Sequence, residues 1–262
     1  MGFFRSNPDP LIIGGFFRSG TSLFRRLLDS HSRIHCGPEI KFFRDFYGDY
    51  RNDPYGHVRF FKTARHLEIE EPVLLEIFGS AFVRLHQNAA AIHGKPVWAD
   101  KNPENVLYLD QWQKLLKGRF IFVHLVRDPR DVLASLLEIG FEKTVPTEFS
   151  DKVALFETYL SHARDFSIRF PEKSVQVRYE DLVTSPETTL TRFLKRIGLA
   201  FEPRMMTDFL DPARRAGIED PKVCRQDRIH ANSIGRWRND LTPEQAALVR
   251  DRLGKISDFP DI

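Results

Sequence analysis

The seven residues Phe120-Ile-Phe-Val-His-Leu-Val126 are apolar at every position but one. A strand with one face in water alternates apolar and polar side chains, whereas a strand covered on both faces has no need to. This run therefore calls for material above and below it, which a parallel sheet between helices supplies. Pro10 to Gly15, Val97 to Ala99 and Ser174 to Arg178 read as further short strands, separated by stretches with helical patterning. The expected fold is α/β, a central, mostly parallel sheet flanked by helices with a P-loop-like first turn.

Helix starts are marked by Asn102-Pro103, Asp128-Pro129, Ser185-Pro186 and Thr242-Pro243, each a capping side chain before a proline suited to the first helical position. Thr242 with Gln245 fits a capping box. Leu190, Phe193, Leu194 and Ile197 trace one apolar helix face that stops at Gly198. A longer helix is expected from about Val73 to His93, after an aromatic-rich insertion over the sheet edge at about 40–72. No repeat or linker divides the chain, so residues 1–262 are expected to form one domain.

The balance of 39 Lys and Arg against 36 Asp and Glu leaves a formal charge of +3, too little for bulk nucleic-acid binding, although clustered cations still suit a small polyanion. Two distant cysteines, Cys36 and Cys224, give neither a disulfide framework nor a metal-binding pattern. No secretory signal or membrane-spanning run is readable, and the expectation is a cytoplasmic protein without stable membrane insertion. Oligomeric state is not readable.

The first strand runs into Gly14-Gly-Phe-Phe-Arg-Ser-Gly-Thr-Ser22 and then a leucine-rich stretch. A strand, a tight glycine-containing loop and a helix gather backbone N–H groups around one point, which suits an anion. The register Gly15-x4-Gly20-Thr21-Ser22 resembles a Walker A loop, yet Thr21 stands where its lysine belongs and the cation comes earlier, as Arg18. Gly20 permits close backbone approach, Thr21 and Ser22 offer hydroxyls, and Arg18 offers a planar fork. A plain strand-to-helix turn capped by Ser19 or Thr21, with Arg18 solvated, explains the same residues equally well. The quartet Phe-Phe-Arg-Ser also occurs at residues 3–6, where the following Asn7-Pro8-Asp9-Pro10 gives it no helix to aim.

The strand Phe120 to Val126 ends in Arg127-Asp-Pro-Arg-Asp-Val-Leu-Ala-Ser135. Arg127 stands at the carboxyl edge, where open α/β sheets bind ligands, and Ser135 lies about two helical turns on. Together, the two segments resemble the sulfotransferase superfamily that uses 3'-phosphoadenosine 5'-phosphosulfate (PAPS). In that family a loop of the Arg18 to Ser22 type (Arg18, Ser19, Gly20, Thr21, Ser22) holds the 5'-phosphosulfate. An Arg and a Ser eight positions later, here Arg127 and Ser135, bind the 3'-phosphate.

Further segments carry the resemblance along most of the chain. Cys36-Gly-Pro-Glu-Ile-Lys-Phe-Phe43 is similar to the segment of tyrosylprotein and heparan-type sulfotransferases whose glutamate is the catalytic base, which implies that role for Glu39. Asp100-Lys-Asn-Pro103 resembles their lysine motif beside the transferred group, implying Lys101. Val177-Arg-Tyr-Glu-Asp-Leu182 matches a segment near the nucleotide, implying Tyr179, and Ser233-Ile-Gly-Arg-Trp-Arg238 resembles the C-terminal loop that closes on the 3'-phosphate. The small-molecule branch differs, with a lysine at the position of Arg18, a catalytic histidine, and Arg-Lys-Gly before the last Gly-x-Trp. In the absence of that tripeptide the C-terminal contacts are assigned to Arg228 and Ser233.

The resemblance implies sulfuryl transfer from PAPS to an acceptor hydroxyl of a carbohydrate, a phenol or tyrosine, a lipid or a metabolite alcohol, with PAP as product and no metal. Glu39 is expected to act as general base, with Lys101 and Arg18 stabilising developing charge. Two rivals are a P-loop kinase or NTPase and a non-catalytic nucleotide-binding protein. Taken singly, each site residue also has a plain reading: a turn acid for Glu39, pairing with Asp100 or Glu104 for Lys101 and with Asp128 or Asp131 for Arg127, sheet core for Tyr179, and an indifferent helix serine for Ser135. His124, inside the apolar strand, is expected to be a core histidine.

Overall fold

A computed structural model of the protein describes residues 8–48, 58–138, 144–211 and 228–253. The first Phe-Phe-Arg-Ser copy, Cys224 and part of the aromatic insertion lie outside the described residues. Five parallel strands form one sheet: β1 (Leu11–Gly15), β2 (Ile34–Cys36), β3 (Val97–Lys101), β4 (Ile121–Val126) and β5 (Ser174–Arg178). Their spatial order is β2-β3-β1-β4-β5, so the chain reverses direction across the sheet beside β1.

The pleat sends alternate residues into two separate cores, which is why the apolar runs had to be nearly continuous. Leu11, Ile13, Val97, Ala99, Val123, Leu125, Val175 and Val177 face a core built with helix α1 (Thr21–Asp29) and the later helices. Ile12, Trp98 and Phe122 face the opposite core. That second core contains Phe43 and Phe46 from α2 (Phe42–Tyr47), and Leu74, Leu75 and Phe82 from α4 (Glu71–Ile92). Val132 and Leu133 of α6 (Pro129–Leu137) and Phe156, Ala163 and Phe166 of α7 (Phe149–Arg169) complete it. The aromatic stretch expected to be an insertion thus contributes part of a core. It includes α2 and a further helix, α3 (Val58–His66).

Several boundaries differ from expectation for physical reasons. β2 escaped notice because three residues, with His35 between Ile34 and Cys36, are too short to show a period. β3 continues past Ala99 through two charged residues, since Asp100 and Lys101 pair in register with Ile12 and Ile13 and each finds a buried partner. α4 begins two residues early because Pro72 fits its first turn. Asn102 and Asp128 do cap, each accepting a backbone N–H two residues on, Asn102 at the head of a 3₁₀ helix (Pro103–Tyr108). Thr242 and Gln245 form the reciprocal box. Ser185 makes no side-chain cap. It is at once the residue that caps the end of α8 (Tyr179–Thr184), donating its N–H to the Asp181 carbonyl, and the entry to α9 (Pro186–Arg196).

His124 is a core residue, as expected: it stacks near Phe122, and burial alone pushes its imidazole pKa from 6.5 down to about 3. Between those values the unfolded chain takes up a proton that the folded chain refuses, so this group's contribution to stability falls as the pH drops from about 6.5 toward 3. His124→Phe is expected to flatten that limb of the stability curve, as measured by denaturant unfolding at a series of pH values.

Candidate active site

Four loops meet at the carboxyl edge of the sheet, one each after β1, β2, β3 and β4. The β1 loop turns sharply: Arg18 has φ 67° and Gly20 φ 90°, and Gly20, as N-cap of α1, contributes no side-chain cap. The simple capped-turn reading therefore fails at Ser19 and Thr21. A Cβ at Gly20 would lie 2.5 Å from Cδ2 of Tyr179, so only glycine lets the loop settle on that ring. Ser19, Thr21 and Ser22 are buried around the helix start, where the backbone N–H groups of α1 lack helical partners.

Lys101 closes β3 with its side chain 1% exposed. Its ammonium donates to Ser22 Oγ at 3.3 Å and forms a tight ion pair with the Glu39 carboxylate. The plain alternatives for Lys101 are taken up elsewhere. Asp100 lies 3.2 Å from His86 and accepts from Asn105, while Glu104 pairs with Arg44 at 2.8 Å. Glu39 is 21% exposed, so its carboxylate is anchored on one side and open on the other.

The segment that carries Glu39 is pinned at both ends. Before it, buried Arg25 of α1 donates to the Cys36 carbonyl at 3.0 Å. After it, Arg44 of α2 reaches Glu104, whose carboxylate is 0% exposed. Burial raises the Glu104 pKa, opposed by the Lys41 and Arg44 charges, and burial with the neighbouring Glu104 charge lifts the Tyr159 phenol well above its usual range. Neither Arg25 nor the Arg44–Glu104 pair was legible in the sequence. An arginine in a leucine-rich helix and a Glu after Asn-Pro carry no pattern of their own.

At the other end of the edge, Arg127 stacks its guanidinium over Tyr179, 4.4 Å from the ring centroid. It donates to the carbonyls of Arg18 at 2.9 Å and Ser233 at 2.8 Å. Its Nε is buried without a hydrogen-bond partner among the described residues, a donor left over for an anion. Desolvation lowers the Arg127 pKa, and Tyr179, Asp131 and Glu180 oppose the shift. Arg18 Nε donates to Ser135 Oγ at 3.0 Å, so the β1 loop and the α6 hydroxyl are in direct contact. Asp128, one plain partner for Arg127, pairs instead with Arg130 at 2.6 Å.

Of the residues singled out in the sequence, the structure brings together Glu39, Lys101 and Ser22 as one cluster, and Arg18, Arg127, Ser135, Tyr179 and Ser233 as another. The loop holding Arg18 to Ser22 joins the two. Arg228 stands apart: it is exposed and makes no hydrogen bond or ion pair with the site among the described residues. Its assignment came from the resemblance without a matching tripeptide, and Ser233 takes part through its carbonyl alone. Asp131, which the sequence offered only as a plain partner for Arg127, is 1% exposed beneath the C-terminal segment. Among the described residues no cluster of three His, Cys, Asp or Glu side chains suits a metal ion, and no helix is long and apolar enough to cross a membrane.

Comparison with known proteins gives a consistent picture. Residues 10–203 match the Sulfotransferase family. The chain is 27% identical to a putative protein-tyrosine sulfotransferase of Caenorhabditis briggsae over 77% of its own length and 70% of the relative's. It is 26% identical to nodulation protein NoeE of Sinorhizobium fredii over 95% of its length and 65% of that relative's, and so spans about two thirds of these relatives. A similar solved fold is the sulfotransferase domain of the Synechococcus PCC 7002 olefin synthase, with a TM-score of 0.67, 20% identity and 99% of each chain covered.

The Arg44–Glu104 pair generates a stability prediction. Arg44→Met leaves the Glu104 carboxylate, among the described residues, with Lys41 at 3.9 Å as its remaining ion-pair partner, and is expected to cost about 3–5 kcal/mol in urea unfolding.

Proposed function

The chain belongs to the sulfotransferase family, and from that premise we propose that it moves a sulfuryl group from PAPS to an acceptor hydroxyl, with Glu39 as general base. The observation that supports this reading best is the placement of Lys101, which touches both the anion loop at Ser22 and the carboxylate of Glu39. A lysine so placed serves a leaving group on one side and a proton acceptor on the other.

The residues suit a donor charged at both ends. Ser19 to Ser22 and the N-terminus of α1 would receive the 5'-phosphosulfate, while Arg127 through its unpartnered Nε, with Ser135, would receive the 3'-phosphate. Each charge-assisted hydrogen bond is worth about 1.5–3 kcal/mol, so two separated anion sites fix position as well as affinity. Bound PAPS supplies an activated sulfuryl group whose bond to the phosphate oxygen breaks as the bond to the acceptor oxygen forms, leaving PAP.

Glu39 takes the acceptor's hydroxyl proton on its open side. Lys101, buried and in contact with the loop, directs its remaining N–H toward charge building on the departing oxygen. Arg18 adds a second cation to the same loop. Pairing with Lys101 also orients the Glu39 carboxylate, so one contact serves both the acid–base and the electrostatic part of the reaction. The acceptor belongs to one of four hydroxyl classes: carbohydrate, phenol or tyrosine, lipid, or metabolite alcohol.

Glu39→Gln is expected to lower turnover about 10²- to 10⁴-fold while PAP affinity changes little; wild-type turnover would remove Glu39 from the mechanism. Calorimetric titration separates this reading from a P-loop kinase. PAP is expected to bind without metal, whereas magnesium-dependent ATP binding with no PAP binding would overturn the donor assignment. Radiolabelled PAPS offered to the four hydroxyl classes identifies the acceptor.

A further inference from the structure

The first turn of α6 does more than present Arg127 and Ser135. Asp131 lies there, 1% exposed, and its carboxylate accepts two hydrogen bonds from residues more than a hundred positions away in the chain: Gly235 N–H to Oδ2 at 2.7 Å and Trp237 N–H to Oδ1 at 3.0 Å. A first-turn acid that merely answered the helix dipole would remain with its own helix or with water. Both oxygens of Asp131 are instead committed to one short stretch of backbone. That stretch turns at Gly235, whose φ of 74° lets alternate N–H groups point at the same carboxylate.

Neighbouring contacts align the same two pieces. Arg130 stacks on Trp237 at 4.2 Å, and Arg236 pairs with Glu138, which caps the end of α6. Two residues before Gly235, the Ser233 carbonyl accepts from Arg127 Nη2 at 2.8 Å. Arg127 Nη1 is held by the Arg18 carbonyl at 2.9 Å and its face by Tyr179. The direction left to its Nε therefore depends on where Ser233 stands, and Ser233 stands where Asp131 holds the turn.

We infer that Asp131 is a positioning residue for recognition of the donor's 3'-phosphate: it clamps residues 233–237 so that the Ser233 carbonyl fixes Arg127 in the orientation that leaves Nε for the anion. The inference rests on the proposed placement of the 3'-phosphate at Arg127 and Ser135. A carboxylate this close to an anion site would otherwise repel the ligand, and the two N–H groups it accepts offset that charge.

The test compares PAP with adenosine 5'-monophosphate, which lacks only the 3'-phosphate, by calorimetry on the full chain. Wild type is expected to prefer PAP; equal affinity for both nucleotides would overturn the 3'-phosphate reading itself. Given that preference, Asp131→Asn presents an amide to one of the two N–H groups and is expected to reduce the PAP-to-monophosphate affinity ratio at least tenfold, with monophosphate binding changed less than twofold. Asp131→Glu, which keeps the charge, is expected to recover part of the ratio. An unchanged ratio in Asp131→Asn, or an equal loss for both nucleotides, would overturn the role of Asp131 while leaving the 3'-phosphate site intact. Gly235→Ala disturbs the same turn without touching the carboxylate, since φ 74° strains any residue that carries a Cβ, while the nearby tip of the exposed Arg238 side chain can swing aside. It serves as the test should Asp131→Asn not fold: a selective loss of PAP binding is expected, and retained discrimination overturns the clamp.

Discussion

A lysine ammonium buried at the end of a strand is costly unless an anion and a hydrogen-bond acceptor meet it there. Lys101 imposes that condition on the middle of the sheet. Glu39 answers from the loop after β2 and Ser22 from the start of α1, so one charge gathers three of the four edge loops. The requirement reaches outward. For Glu39 to stay in place, Arg25 must hold the Cys36 carbonyl behind it and Arg44 must anchor α2 on Glu104 ahead of it. Much of the polar architecture under the carboxyl edge is thereby explained by the need to keep one cation satisfied.

The second cluster follows a different logic. Among the described residues Arg127 has no direct carboxylate partner; it is held by two carbonyls and an aromatic face, with more distant support from Asp131 and Glu180. Carbonyl partners fix a guanidinium without neutralising it. The charge remains available to a ligand, whereas the charge of Lys101 is already half engaged by the Glu39 carboxylate beside it.

The sequence carried four of the five strands because burial on both faces leaves a mark that composition cannot hide: Phe120 to Val126 and Pro10 to Gly15 read as strands from their apolar runs. It also carried the loops, since Gly20, Arg18 and the Arg127 to Ser135 spacing lie close together along the chain. Contacts made by isolated polar residues across the fold were not legible. Asp131 reaches Gly235, Arg25 reaches Cys36 and Arg44 reaches Glu104 through tertiary approach, and none of these pairs shares a period or a motif. From the sequence the strand reads only from Val97 to Ala99, and the register of Lys101 with Ile13 shows that the sheet itself delivers the lysine. Arg228 marks the opposite limit, a position taken from likeness where the motif was incomplete.

The hydrogen bond from Arg18 Nε to Ser135 Oγ gives the two proposed anion sites a common member. A serine hydroxyl that accepts from an arginine keeps its own O–H to donate, so an anion taken up by Ser135 is joined through that hydroxyl to the loop arginine, and any coupling between them is reciprocal. On the proposed donor placement the two ends of the nucleotide are therefore linked: the anion that Ser135 receives at the far end bears on the arginine that serves the near end.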